Sequence, residues 1–186
     1  YIGDVHVWVE DGMFPTTRMR RLRGKNLRRL VAETTLSPSD LIYPIFIEEG
    51  IHKRKPIPSM PEQYRLPIDD VADEVRECHE LGLGGVILFG IPAHKDEQGS
   101  SAWGKDDVVQ RAVRSIRDEV GDEPVVITDV CMCEYTTHGH CGILKGDDVD
   151  NDRTLECLKR IAVSHAEAGA DIVAPSGICL LYTSPS

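Results

Sequence analysis

From residue 41 onward, short apolar runs alternate with segments in which apolar positions recur every three to four residues. The runs are "LIYPIFI" (41–47), "GVILFGI" (85–91), "VVITDV" (125–130) and "DIVAPS" (171–176). Nearly continuous apolar character, rich in Val and Ile, is typical of strands buried on both faces of a parallel sheet. The pattern predicts four such strands.

Amphipathic helices are predicted between these strands, over 68–83, 106–120 and 152–169, and the apolar stripe of the last one includes His165. Acidic residues lead each helix, where they suit the positive end of the helix dipole, and glycines follow each one, as helix C-termini prefer. The leading acids are Asp69, Asp70, Asp106, Asp107, Asp150 and Asp152, and the glycines are Gly82, Gly84, Gly121 and Gly169.

Strands that alternate with helices every 40 residues or so predict βα units and a parallel sheet. A doubly wound sheet usually carries a glycine-rich phosphate loop after its first strand, and no G-x-G-x-x-G follows residues 41–47. A TIM (β/α)8 barrel fits better, although such a barrel takes about 250 residues and eight strands. The predicted fold is therefore α/β, a TIM barrel of which about the first four βα units are present.

Composition and charge narrow the function classes. The chain has 186 residues, 41% of them hydrophobic, and no apolar run approaches the roughly 20 residues of a membrane span. We expect a soluble, cytoplasmic protein that does not bind membranes. The net charge of −10 argues against nucleic-acid binding.

One segment of this negatively charged chain is strongly positive. Residues 15–30 hold seven cations and no acid, which suggests a basic arm that meets an acidic neighbour in self-association. Composition alone leaves a solvated charge run or a nucleic-acid tail as alternatives. The cations are Arg18, Arg20, Arg21, Arg23, Lys25, Arg28 and Arg29.

Residues 129–148, "DVCMCEYTTHGHCGILKGDD", follow the third predicted strand, at the end where barrel active sites form. Cys131, Cys133 and Cys141 have the spacing C-x-C-x7-C, and thiolates favour zinc over magnesium or calcium. Three protein ligands with one open position suit a catalytic zinc. Alternatively, Cys131 and Cys133 are buried, reduced core residues and Cys141 is unrelated to them. His138 and His140 are either partners of metal ligands or hydrogen-bonded loop residues.

The same loop resembles the zinc-cysteine signature of the 5-aminolevulinate dehydratase (porphobilinogen synthase) family, with a weaker likeness to archaeal members. "FPTTRMRRLR", "LIYPIFIEEG", "SMPEQYRLP", "LFGIPAHKDEQGSSAW" and "AEAGADIVAPSG" are similar to that family in order and spacing. The resemblance implies a TIM barrel that condenses two molecules of 5-aminolevulinate to porphobilinogen. It also implies that Cys131, Cys133 and Cys141 hold Zn²⁺.

Further site and assembly roles follow from the resemblance. Asp129 is expected to assist proton transfer, and Ser176 is expected to line the substrate cavity. The structural alternatives are that Asp129 orients the loop and that Ser176 caps a turn. The family's N-terminal arm wraps a neighbouring subunit, which implies a homo-oligomer, typically an octamer. Any Mg²⁺ site is expected outside this chain.

The expected organisation is an arm over 1–34, half a barrel over 35–177 and an off-family tail over 178–186, which has the character of non-native read-through. Met13 is a candidate start, which would make 1–12 upstream read-through. The family's Schiff-base lysines belong to later strands and have no match here. From the residues alone Lys95, in the loop after the second strand, is the candidate, but its charged loop context argues against a Schiff-base role. We therefore expect this fragment to be inactive and to have open sheet edges that favour aggregation.

Two other functions remain open at this point. One is a non-catalytic zinc-binding assembly module that uses the cysteines structurally and the basic arm for docking. The other is a zinc-dependent barrel hydrolase, which is disfavoured because such sites usually use histidine and carboxylate ligands.

Overall fold

The computed structural model describes residues 24–146 and 148–177, and the chain divides into two units, Tyr1–Leu36 and Ser37–Ser186. In the first unit the described residues contain the short helix α1 (Lys25–Leu30), which has Arg28 and Arg29 in its last turn. The predicted read-through at 1–12, most of the basic arm and the tail at 178–186 lie outside the described residues.

A six-stranded sheet forms the framework of the second unit, in the order β2-β3-β1-β4-β5-β8. All neighbouring pairs are parallel except β2 with β3. A separate two-stranded hairpin, β6-β7, precedes the last helix. The strands are β1 (Ile42–Glu48), β2 (Lys55–Pro56), β3 (Tyr64–Leu66), β4 (Gly85–Ile91), β5 (Val126–Asp129), β6 (Leu144–Lys145), β7 (Asp148–Val149) and β8 (Ile172–Ala174).

The four strands predicted from the sequence are β1, β4, β5 and β8, and they are neighbours in chain order. The predicted helices are also present, as α2 (Val71–Glu80), α3 (Val108–Glu119) and α4 (Asn151–Ala168). Parallel strands that follow one another without a reversal of order form the wall of a barrel, whereas a doubly wound sheet reverses at a switch point. The predicted α/β barrel class is confirmed for this part of the chain.

The two faces of the sheet differ in burial, because α2, α3 and α4 all pack on the same side. Ile45, Ile47 and Leu88 point toward the helices and are essentially inaccessible to solvent. On the opposite face, which faces the centre of a barrel, the Phe46 and Phe89 rings stack with centroids 5.2 Å apart. Two barrel units thus contact one another through aromatic side chains on the inner face.

Glycines end the helices as predicted, with left-handed φ values of 76° at Gly82, 92° at Gly121 and 108° at Gly169. Gly84 has a different purpose, because a Cβ there would lie 2.2 Å from the Ser39 carbonyl oxygen. The close approach of these two backbones requires glycine at position 84.

Besides the short helix α1, the short strands β2 and β3 and the hairpin β6-β7 were not predicted. Each strand has two or three residues, too few for a period of two to be visible. The acid-rich segment after residue 145 was interpreted only as a helix start, but the helix begins at Asn151, where the Asp150 carboxylate accepts a hydrogen bond from the Arg153 amide. Within the described residues, no helix is both long and apolar enough to cross a bilayer.

Candidate metal centre

The cysteine-rich loop begins where β5 ends, at the carboxyl edge of the parallel strands. Asp129 is the last residue of β5, and the chain then turns through Cys131 and Cys133 before it reaches Cys141. Cys131 is buried, whereas Cys133 and Cys141 are half-buried. The strand therefore places the first two sulfurs at the mouth of the barrel wall, as predicted.

Tyr135 anchors the middle of this loop in the core. Its side chain is buried against β4 at Gly90, where a Cβ would lie 2.6 Å from the Tyr135 hydroxyl oxygen and 2.5 Å from Val109. The loop also pairs with the segment that follows β4, because the Thr137 amide donates to the Asp96 carbonyl oxygen at 3.0 Å. These contacts fix the backbone on both sides of the tyrosine.

Thr154, in the first turn of α4, holds the end of the loop. Its buried hydroxyl donates to the Asp150 carbonyl oxygen at 2.6 Å and accepts from the Ile143 amide at 2.9 Å. Gly142 fits only because it lacks a side chain, since a Cβ there would lie 2.6 Å from the Thr154 hydroxyl. Cys141 is thus returned toward the other two cysteines by contacts made in the next helix.

The three cysteine sulfurs meet in one cluster that fits a metal ion. All three lie within 4.8 Å of one another, and the Cys131 and Cys133 sulfurs are 3.5 Å apart. Two sulfurs each about 2.3 Å from a tetrahedral zinc would be separated by about 3.8 Å. The alternative in which Cys141 is unrelated to the other two cysteines is therefore wrong.

The thiols differ in how easily they lose a proton. Cys131 and Cys133 share a hydrogen bond, and this contact lowers the pKa of Cys131 to about 6. The same hydrogen bond is the main reason that the pKa of Cys133 is raised, and burial raises the pKa of Cys141 to about 11. Thiolates bind metals, so Cys131 is the sulfur most ready to act as a ligand.

A cavity of about 640 Å³ lies in front of the sulfurs, within the usual range for small-molecule sites. Asp129 and Ser176 both line it, which brings together the two residues predicted for the substrate cavity. Burial raises the pKa of Asp129, and a hydrogen bond from Ser176 acts in the opposite direction. The lining residues are Ile87, Phe89, Asp129, Cys131, Cys133, Glu134, Cys141, Ala174, Pro175 and Ser176.

Both histidines of the loop make hydrogen bonds near the loop rather than joining the sulfur cluster. The His138 ring nitrogens lie 3.3 Å from the Glu97 carbonyl oxygen and 3.1 Å from the His140 amide nitrogen. Neither histidine belongs to a group of metal-ligating side chains found among the described residues. This geometry favours the interpretation of His138 and His140 as loop residues.

Glu134 is a site residue that the sequence reasoning missed. Oxygens of Glu134 and Asp129 and the Cys131 sulfur lie within 4.8 Å of one another. Its position beside Cys133 was visible in the sequence, but an acid next to a ligand can point into the cavity or into solvent. Only the turn that buries the neighbouring Tyr135 decides the direction.

A second cavity, of about 510 Å³, lies between α3 and α4 on the outer side of the sheet. Its lining includes Trp103, Lys105, Arg114 and Arg160, and none of its described lining residues is a cysteine, histidine or aspartate. This second cavity therefore lacks, among its described residues, the groups on which the chemistry predicted from the loop depends.

The sequence of this chain matches a known protein family. Residues 16–179 match the family model for delta-aminolevulinic acid dehydratase. The dehydratase of Archaeoglobus fulgidus is 56% identical over 165 residues, which are 89% of this chain and 51% of that protein. The dehydratase of Methanothermus sociabilis is 54% identical over 164 residues, 88% of this chain and 51% of that protein.

A solved structure has the same fold. The delta-aminolevulinic acid dehydratase (porphobilinogen synthase) of Toxoplasma gondii ME49, in complex with the reaction product porphobilinogen, superimposes with a TM-score of 0.79 at 33% identity. The superposition covers 88% of this chain and 47% of that one. The chain thus spans about half the length of the curated relatives it matches.

Proposed function

The chain belongs to the delta-aminolevulinic acid dehydratase family, and we propose that it supplies the metal-binding side of a porphobilinogen synthase site. The reaction joins two molecules of 5-aminolevulinate into porphobilinogen and releases two molecules of water. One observation carries the proposal: three cysteine sulfurs within 4.8 Å of one another border the same cavity as Asp129 and Ser176.

The donor set favours zinc as the ion. Three thiolates form a soft site that magnesium or calcium would not choose, and three protein ligands leave one position open on a tetrahedral ion. When bound there, zinc would act as a Lewis acid that polarises a carbonyl oxygen. The open position suits a reaction site better than a closed structural site with four protein ligands.

The chain's own residues hold and orient the substrate in this proposal. Ile87 and Phe89 form an apolar wall that excludes water, and Asp129 lies at the cavity edge where protons must move during the loss of water. Ser176 lines the same cavity and acts to lower the pKa of Asp129, which suits a side chain that orients this carboxylate. We assign proton transfer to Asp129, and we assign to Ser176 the orientation of the Asp129 carboxylate.

Covalent anchoring of a substrate needs a lysine in the cavity, and none of the described residues that line it is a lysine. Lys95 is exposed in the loop after β4 and is not part of the lining. We propose that strands of the complete barrel provide this group. The 186-residue chain alone should therefore bind zinc without forming porphobilinogen, and a protein with all eight strands should do both.

Replacement of single cysteines tests the metal site. Cys131→Ser, Cys133→Ser and Cys141→Ser should each lower zinc affinity by more than about 100-fold, measured by competition with a chromophoric chelator under reducing conditions. Cys157→Ser is the matched control, because Cys157 lies on α4 away from the cavity. Retention of zinc by any of the three site variants would refute the proposed ligand set.

The same preparations separate an enzyme site from a zinc-binding assembly module. We expect one zinc per chain and, in the cobalt-substituted protein, an exchangeable water at the metal. A closed site with four protein ligands and no exchangeable water would favour the module instead.

We also propose that the protein is a cytoplasmic homo-oligomer, with an octamer as the expected form. The seven cations of residues 15–30 against the net charge of −10 support an assembly in which the basic arm meets an acidic surface of another copy. Light scattering after size-exclusion chromatography should show dissociation as the salt concentration rises. A monomer at low salt would contradict this part of the proposal.

A further inference from the structure

We propose that the Glu134 carboxylate binds the amino group of the substrate that enters the cavity beside the cysteine cluster. This inference deepens the proposed function and rests on it, since it takes 5-aminolevulinate as the ligand. Glu134 lies between Cys133 and the core residue Tyr135, and it lines the cavity of about 640 Å³ together with Asp129.

The main observation is that Glu134 has a vacant acceptor. Its Oε2 atom is buried, and no donor among the described residues hydrogen-bonds to it. A buried carboxylate oxygen without a partner costs free energy, so a site that keeps one usually has a ligand to satisfy it. The other buried side-chain atoms without a hydrogen bond among the described residues lie outside this cavity, in Gln110, Thr128, His165 and Glu74, and the Glu74 oxygen is in an ion pair with Arg54.

Asp129, the other acid of the cavity, is less available for this role. The Ser176 side chain acts to lower the pKa of Asp129, and neither Asp129 oxygen is among the buried atoms without a hydrogen-bond partner. The Cys133 side chain interacts with Glu134, but a metal-bound cysteine is a thiolate and has no S–H to donate. With the cysteines occupied by a metal, Glu134 is therefore the acid that needs a donor from outside the chain.

The chemistry of the cavity defines which donor fits. Carboxylates, cysteine sulfurs and an apolar wall are present, and the described lining residues include no lysine or arginine. Such a lining repels the carboxylate end of a substrate and attracts a primary amine, which offers two or three N–H donors. An amino ketone would therefore enter with its amino group toward Glu134 and its acid end away from the sulfurs.

Two small molecules that differ only in the amine provide the test. Binding of 5-aminolevulinate and of levulinate to the zinc-loaded chain can be compared by ligand-detected NMR titration, and no turnover is expected because none of the described lining residues is a lysine. Glu134→Gln should weaken 5-aminolevulinate binding about tenfold, as expected for loss of a charge-assisted hydrogen bond, and should leave levulinate binding unchanged. Glu134→Asp should restore part of the preference.

Glu123→Gln is the matched control, because Glu123 is exposed in the turn before β5, at the opposite end of the strand. An equal loss of affinity for both ligands in Glu134→Gln, or no loss for either, would overturn the inference. Glu134→Gln could instead lose zinc and still prefer the amine in the sites that remain loaded. That result would make Glu134 a metal ligand and would also overturn the inference. If the unaltered chain binds zinc but prefers neither molecule, the proposed substrate fails instead.

Discussion

His165 should make the stability of this protein depend on pH between 4 and 6.5. The residue lies in the last turn of α4 with no exposed surface, and neither ring nitrogen has a hydrogen-bond partner among the described residues. Burial lowers the pKa of His165 to about 4 from its ordinary value of 6.5. The folded protein therefore holds the neutral ring under conditions in which the unfolded chain would bind a proton.

The sign and size of the effect follow from this difference. Above pH 6.5 both states are neutral at His165 and no stability is lost, whereas below that value the unfolded state gains the proton first. A site whose pKa is 6.5 unfolded and about 4 folded should lower the free energy of unfolding by about 1.3 kcal/mol between pH 7.5 and pH 5.5. The loss continues until the pH reaches the folded-state pKa.

His165→Leu removes this dependence while it keeps a side chain of similar volume. Urea denaturation of both proteins at pH 7.5 and pH 5.5 gives the double difference, in which contributions from all other titrating groups cancel. The pH of 5.5 is preferred to a lower value because the net charge of −10 at pH 7 shrinks as acids take up protons, which reduces solubility. The variant should also be at least as stable as the parent at pH 7.5.

A control comes from His52, which is exposed. His52→Gln should show the same pH dependence as the unaltered chain. If His165→Leu does so too, the buried ring is not held neutral, and the reasoning from its burial is wrong.

Three further changes probe how the cysteine loop and the sheet are held. Gly90→Ala should lower the free energy of unfolding by about 1–3 kcal/mol and weaken zinc binding, because the new methyl group displaces Tyr135. Unchanged zinc affinity would mean that this contact does not position the cysteine loop. Arg117→Lys should lower the free energy of unfolding by about 1–3 kcal/mol in urea denaturation, because a lysine cannot make the four hydrogen bonds of this guanidinium. An unchanged midpoint would show that these hydrogen bonds do not stabilise the fold. Thr154→Val should leave the Ile143 amide without its acceptor and lower zinc affinity about tenfold in the chelator assay, whereas Thr137→Val, an exposed loop position, should not.

The sequence was sufficient for the large elements and their order. Runs such as 85–91 and stripes such as that of α4 are long enough for their period to identify them, and the absence of a glycine-rich loop after β1 favoured a barrel wall. The grouping of Cys131, Cys133 and Cys141 was also predicted, because thiols are rare and their spacing restricts the chemistry. His165 belonged to the predicted apolar stripe, and its burial follows from that position.

Tertiary structure decided the features that depend on direction and on contacts distant in sequence. Whether Cys141 joins Cys131 depends on a hydroxyl in α4, thirteen positions further along the chain, that fixes the end of the loop. Whether Glu134 faces the cavity depends on how Tyr135 is buried against Gly90 of another strand. Local periodicity carries no information about such contacts, because it reports which face of an element is apolar but not which neighbour that face will meet.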